Sequence, residues 1–373
     1  MQNIPNVLDE AFCFAERLRF SGDKPTKFHA IEDSSFDKIH GRISQDGLLI
    51  SKSLTPGIIS TLEEATDKLK LPHGTTTAYV YSSSELQAEC YSGVEDECII
   101  RISSSLIKLL SDKELSFVIG HEIGHFLLRH GVRSKFGDPY SKEFFMQQRC
   151  QEISVDRLGL VACGCLDSSV RALMKIISGL DESYLRFDIG SFLAQLGNGS
   201  DDKVFAPDNS THPSLVMRCK ALLWFSMSDA YSKIKGQNEG LNLDRTNKLI
   251  ERDFKQYVDG HVREEIVDAL ENLRLWLAVS ASIRDGLLDR KEQALISDLF
   301  GKATLGKLLG LYSNCKFDEI KSLTRDRLGK AFGTYKKLAP TQCTDEFPSI
   351  LRELGEIFDQ DDFQQYIRDQ FHL

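Results

Sequence analysis

The strongest constraint on this chain is the segment Glu114-Leu-Ser-Phe-Val-Ile-Gly-His-Glu-Ile-Gly-His-Phe-Leu-Leu-Arg-His130. Ser111 and Glu114 have the S-x-x-E spacing of a helix capping box, and Gly131 stands where a helix C-cap is wanted. These signals predict one helix from about Asp112 to His130. At 3.6 residues per turn, His121 and His125 share a face one turn apart, with Glu122 beside them. Two imidazoles so spaced can hold one metal ion, and in H-E-x-x-H the Glu is placed to act as general base on a water at that ion. Phe117, Val118, Ile119, Ile123, Phe126 and Leu127 surround the motif, so the helix is expected to be buried. A Glu and two His buried there each need a partner, and one divalent ion serves all three. The competing explanation, a chance motif on a solvated face, conflicts with apolar residues on nearly every side.

A catalytic zinc site takes three protein ligands and leaves one position open. The candidate third ligand is Glu152, in Gln151-Glu-Ile-Ser-Val-Asp-Arg-Leu-Gly159, inside a segment from Lys142 to Ala162 that reads as helix. Glu152 and Asp156 are an i, i+4 pair on one face of it. Glu152 can bind the metal while Asp156 accepts the free ring N–H of a ligating His, which fixes that imidazole's tautomer. The alternative is a surface helix with two ordinary acids beside Gln151 and Arg157. Its position one helix after the H-E-x-x-H favours ligation.

Composition narrows the classes. A length of 373 residues suggests about two domains with ample core. The net charge of −9 argues against a nucleic-acid partner and against a polybasic membrane anchor. Nine cysteines in no regular pattern read as thiols of a reducing compartment, not a disulfide framework. Cys163-Gly-Cys165 reads as packed thiols, with a redox role as the weaker alternative. The first twenty residues lack a basic n-region and an h-region, and no apolar run approaches 18 residues. The expected location is therefore cytoplasmic, without a membrane span.

Residues 1–55 are read as an N-terminal extension of the catalytic domain, with an amphipathic helix at Leu8 to Phe20 and a short strand within Gly41 to Ser51. Thr55-Pro-Gly opens a helix that Leu71-Pro72 ends. Thr76 to Tyr81 and Glu97 to Ser103 read as strands, and a third short strand completes a small sheet. The strand Cys98 to Ser103 is expected at the sheet edge above the cleft, where an extended substrate would add to it. Ser104 to Leu110 reads as a short helix leading into the motif helix.

With these residues in hand, the chain resembles the forty-eighth family of zinc metallopeptidases, gluzincins that include the CAAX prenyl proteases and the HtpX-type quality-control proteases. Three blocks carry the resemblance: Ile99 to Arg129, Glu152-Ile-Ser-Val-Asp-Arg-Leu-Gly159, and Ser210-Thr-His-Pro-Ser-Leu-Val-Met-Arg218. It implies Zn2+ held by His121, His125 and Glu152, with Glu122 as base and Asp156 as the carboxylate behind a ligand. It also brings His212 and Arg218 near the cleft. The readings of His212 stay open: a donor to the developing oxyanion or a cap on the metal in a resting state, or else a loop His packed beneath the cleft. Two features depart from the family pattern. Val155 stands where many members have Ala, and the membrane helices of many members are missing, so membrane-embedded or prenylated substrates are not implied.

Beyond Lys235 the character changes. Residues 236–247 read as a polar linker, and 248–373 as an all-helical accessory domain. Within it, Asp285-Gly286 through Asp289 and Glu292 resembles the acidic helical hairpin of TerB-like domains, which has been associated with metal binding. A well-capped hairpin explains the same residues. The expected architecture is α+β: a helix-rich zincin-type domain with a small sheet at 56–235, then an all-α domain. The expected activity is hydrolysis of protein or peptide substrates by Glu-assisted attack of water. The alternative is a latent fold serving as a protein-binding scaffold. A protein partner is also expected for the C-terminal helical domain.

Overall fold

The computed structural model describes residues 7–25, 33–93, 96–130, 140–194, 210–255, 258–284, 286 and 288–371. The chain divides into two compact units, Met1–Lys135 with Met146–Val258, and Phe136–Phe145 with Asp259–Leu373.

The first unit begins with α1 (Val7–Leu18), α2 (Asp33–Asp46), β1 (Leu48–Leu49) and α3 (Pro56–Lys68). The strands β2 (Thr76–Tyr81), β3 (Ala88–Ser92) and β4 (Cys98–Ser103) follow, then α4 (Ser104–Leu109) and α5 (Asp112–Leu127). Next come α6 (Lys142–Cys163), α7 (Leu166–Ser178), α8 (Ile189–Ala194), α9 (Leu215–Ser226), α10 (Asp229–Ile234) and α11 (Leu243–Lys255). The fold is α+β, with helices dominant.

The sheet order is β1-β2-β4-β3, with β2 parallel to β4 and β3 antiparallel to it. This corrects one expectation. The strand Cys98–Ser103 lies inside the sheet, and the edge on that side is β3, because β3 pairs antiparallel along the outer flank of β4, from Ala88 opposite Ile102 to Ser92 opposite Cys98. One sheet face, with Ala78, Cys98, Ile100 and Ile102, enters the core shared with α5. The other packs Tyr79 and Ile99 against Phe36 and Ile43 of α2.

The start of α5 matches its sequence signals. The Ser111 N–H donates to Glu114 Oε2 at 2.8 Å, and the same oxygen accepts from Lys175 Nζ of α7 at 2.9 Å. Both ends of that ion pair are buried, so the cap also ties α5 to α7. The end differs from expectation: α5 stops at Leu127. Arg129 takes the left-handed conformation, φ +56°, and the bonds Arg129 N–H to Phe126 O and His130 N–H to His125 O close a Schellman motif. The guanidinium of Arg129 lies 4.5 Å over the Phe12 ring of α1, a contact that offsets the steric cost of a non-glycine residue there. Gly131 lies outside the described residues.

Close approach of α5 to α6 places the motif residues against Glu152. A Cβ on Gly120 would stand 2.3 Å from the Ala162 Cβ, and one on Gly159 would stand 2.8 Å from the Phe117 carbonyl. Only hydrogen at both positions lets the two backbones come this near. On the far side, α11 packs within the first unit through Phe254 stacked on Phe20 and through the Trp224 Nε1–H bond to Asp253 Oδ2. The compact units thus part near Val258, whereas the sequence suggested a linker at 236–247. Residues 236–242 of that stretch connect α10 to α11, and the rest is the first turn of α11.

The second unit is helical: α12 (Val258–Ser282), α13 (Arg290–Phe300), α14 (Lys302–Tyr312), α15 (Phe317–Leu338), α16 (Pro340–Ile357) and α17 (Phe363–Phe371). Leu277, Ile296, Leu328, Tyr335, Leu354 and Phe363 form its buried core. Among the described residues, no helix is long and apolar enough to cross a membrane.

Candidate metal centre

His121, His125 and Glu152 converge, their ligand atoms all within 4.8 Å of one another. Among the described residues this is the one group of three or more potential ligands so placed. Glu152 sets one oxygen against each imidazole: Oε2 is 3.5 Å from His121 Nε2, and Oε1 is 3.5 Å from His125 Nε2. A nitrogen–oxygen hydrogen bond would be shorter, about 2.7–3.2 Å. Donors bound to one tetrahedral zinc at about 2.0–2.2 Å stand roughly 3.3–3.6 Å apart, which is the spacing found. Glu152 Oε2 is moreover buried without a hydrogen-bond partner. The donor set and the orphaned oxygen fit a divalent ion of the zinc type.

Electrostatics keep Glu152 ionised. Burial alone would raise its pKa, but His121, His125 and Arg218 outweigh burial and hold it well below the ordinary range. Glu122 shifts the opposite way. Burial raises its pKa, reinforced by Glu152 and Glu89 and opposed by the two imidazoles. The two carboxylates therefore differ in proton affinity, the separation that assigns acid–base roles within one site.

The remaining predicted residues lie around this group. Asp156 Oδ1 is 3.0 Å from His121 Nδ1, leaving His121 Nε2 to face Glu152. Arg218 grips Asp156 with two parallel bonds, Nε to Oδ2 at 2.8 Å and Nη2 to Oδ1 at 2.6 Å. Against the cost of burial, Arg218 and His121 pull the Asp156 pKa down. Ser214 caps α9 by accepting the Met217 N–H, which sets Arg218 on the first turn facing α6. Arg149 of α6, itself buried, donates to the Ser210 carbonyl and fastens the segment before that cap. His212, largely exposed, reaches Glu152 Oε2 with its Nε2 at 3.5 Å.

Two contacting residues were not singled out from sequence. His130 Nδ1 lies 3.3 Å from His125 Nδ1, and Asp23 Oδ2 lies 3.0 Å from His130 Nε2. Asp23 follows α1, 107 residues before His130, and no local signal marks it. The Schellman turn could have been a signal for His130, since it sets the second residue past the cap against the third residue before it.

Residues 53–148 match the model of Peptidase family M48. The chain is also 25% identical over 215 residues to the Plastoglobule-localized metallopeptidase 48, chloroplastic, of Arabidopsis thaliana. Its segment 53–148 is thus similar to the peptidases of family M48. That alignment covers 50% of this chain and 62% of the relative, so the chain spans less than two thirds of the protein it matches. No solved structure matches it. The family segment contains His121, Glu122 and His125 and stops short of Glu152, which α6 brings to them.

Proposed function

We propose that this chain is a zinc-dependent metalloendopeptidase, with His121, His125 and Glu152 as the metal ligands and Glu122 as the general base. The observation that carries this reading is Glu152, a buried carboxylate facing two imidazole nitrogens at 3.5 Å with one oxygen unpartnered. The similarity of residues 53–148 to a peptidase family supports the reaction class. When bound, zinc would supply Lewis acidity, bringing the pKa of water toward ~7 and polarising the scissile carbonyl.

The chain's own residues supply the rest. Glu122, with its raised proton affinity, accepts the proton of the attacking water and delivers it to the leaving amine. Asp156, locked by Arg218, holds His121 in the tautomer that leaves Nε2 free. His212, exposed beside Glu152, is placed to donate to the oxyanion that develops on the carbonyl. The free edge of β3 suits an extended substrate, bound through main-chain hydrogen bonds with little demand on sequence. All nine cysteines are free thiols, which supports a reducing compartment such as the cytoplasm. A protein partner for the helical second unit belongs to the same proposal.

The scaffold alternative is disfavoured, because a purely structural metal site has no use for a buried Glu beside its ligands. Zinc content and casein hydrolysis of wild type and Glu122→Gln test the reading. Metal should stay bound while hydrolysis falls by about 10²–10⁴-fold, the usual worth of a general base. Equal hydrolysis by the two proteins would rule out this mechanism.

A further inference from the structure

We propose that His130 and Asp23 position His125 for metal ligation, as Asp156 positions His121. The inference rests on the metallopeptidase reading and adds two residues to its machinery, one of them outside the segment that matches the family.

The tautomers decide the matter. To offer Nε2 to an ion, His125 must carry its proton on Nδ1, and that N–H needs an acceptor. His130 Nδ1 is 3.3 Å away and can accept only if the His130 proton sits on Nε2. Asp23 Oδ2, 3.0 Å from His130 Nε2, receives that proton's hydrogen bond. The reverse arrangement would set the Asp23 carboxylate against a lone pair and place the His125 proton on Nε2, the atom the ion requires. Of the two neutral tautomers of His130, only this one satisfies both the His125 and the Asp23 contacts, and it is the ligating one.

The carboxylate is fixed in turn. The Asp23 side chain is fully buried, with Arg19 Nη1 donating to Oδ2 at 3.0 Å and Gln147 Nε2 donating to Oδ1 at 3.1 Å. Arg19 also donates to the Leu128 carbonyl at 3.0 Å, so one guanidinium holds both the acid and the end of α5. The left-handed turn at Arg129 then lays the His130 ring against His125, with centroids 5.3 Å apart and planes at 71°. The two ligating imidazoles are thus braced from behind by different devices. His121 meets a carboxylate directly, whereas His125 meets one through a second imidazole.

The test compares wild type with His130→Leu, His130→Gln and Asp23→Asn, each prepared metal-free. Zinc affinity is read by competition with a chromophoric chelator, ligand geometry by the visible spectrum of the Co2+ form, and folding by the apo-protein Tm. His130→Leu removes the acceptor and should weaken zinc about 10–100-fold while shifting the Co2+ spectrum. His130→Gln keeps an amide oxygen able to accept from Nδ1 and should recover most of that loss. Asp23→Asn should fall between them. Folded His130→Leu that binds zinc as wild type does would overturn the proposal, and so would equal weakening by Leu and Gln, which indicates packing alone. If His130→Leu does not fold, Asp23→Asn decides, and an unchanged affinity and spectrum there refute it. Wild type that binds no divalent ion would instead refute the metallopeptidase reading itself, and this proposal with it.

Discussion

Two helices of this chain carry a closely spaced pair of acids that the sequence associates with metal binding, and they use them differently. On α6, Glu152 and Asp156 are buried; Asp156 is held by Arg218 and His121, and Glu152 keeps an oxygen with no hydrogen-bond partner. At the start of α13, Asp289 is exposed and Glu292 half-buried, and each bonds to the other's backbone: the Glu292 N–H donates to Asp289 Oδ1 at 2.8 Å, and the Asp289 N–H donates to Glu292 Oε2 at 2.8 Å. The α13 pair completes a capping box and needs nothing more. The α6 pair completes nothing without a further positive partner. What separates a ligand from an ordinary acid is burial with an unmet bonding requirement, not the spacing of acids along the helix.

The comparison breaks most visibly at Glu152. Removing a direct ligand should cost more than removing a residue behind one, so Glu152→Ala should weaken zinc by more than about 100-fold. Equilibrium dialysis against a zinc buffer measures it. Metal retained by Glu152→Ala but lost by His125→Ala would show that the third ligand lies elsewhere, and the contrast with α13 would lose its meaning.

Much of this contrast was legible in the sequence. The capping box of α5, the four-residue spacing of His121 and His125, and the pairing of Glu152 with Asp156 are local, and local signals survive in a linear reading. The convergence of α6 on α5 depends on Gly120 and Gly159, whose role appears only when two helices touch. The end of α5 was misplaced because Gly131 is the expected cap residue, whereas Arg129 takes the left-handed position with support from Phe12, more than a hundred residues earlier. The β3 edge was likewise hidden, since strand order comes from the hairpin and not from strand composition. Asp23 was invisible because an acid a few residues past α1 reads in sequence like any loop residue. Its meaning comes only from His130 and Arg19.

Asp23 also sharpens the comparison through pH. Burial would raise its pKa, but His130 and Arg19 together hold it below the ordinary value. A carboxylate with a depressed folded pKa contributes stability that is fully present above its unfolded pKa, about 3.9, and is lost as pH falls through the folded value. Asp362 of the second unit is also depressed, by Arg284, but it is exposed, and solvent screens that pair. Thermal melts between about pH 5 and pH 2 should therefore show a flatter acid limb for Asp23→Asn than for wild type, with Asp362→Asn close to wild type. Matching curves for the two variants would mean that burial does not set the difference between these acids.

The smallest expected effect falls on α13 and is the most specific. Asp289→Ala removes the side-chain acceptor of the Glu292 N–H and leaves the backbone N–H that Glu292 accepts from, so the second unit should lose about 0.5–2 kcal/mol, the usual worth of an N-cap. Zinc content should stay at the wild-type level, because both acids are already satisfied by backbone N–H groups. Asp289→Asn, which keeps an oxygen for the cap but no charge, should restore most of the stability. Ion binding would show the opposite signature: Asn and Ala would both lose metal, and added divalent cations would raise the wild-type Tm but not that of either variant. Denaturant melts with and without a divalent cation therefore distinguish a helix cap from a metal ligand at one residue, on the helix where the sequence left both open.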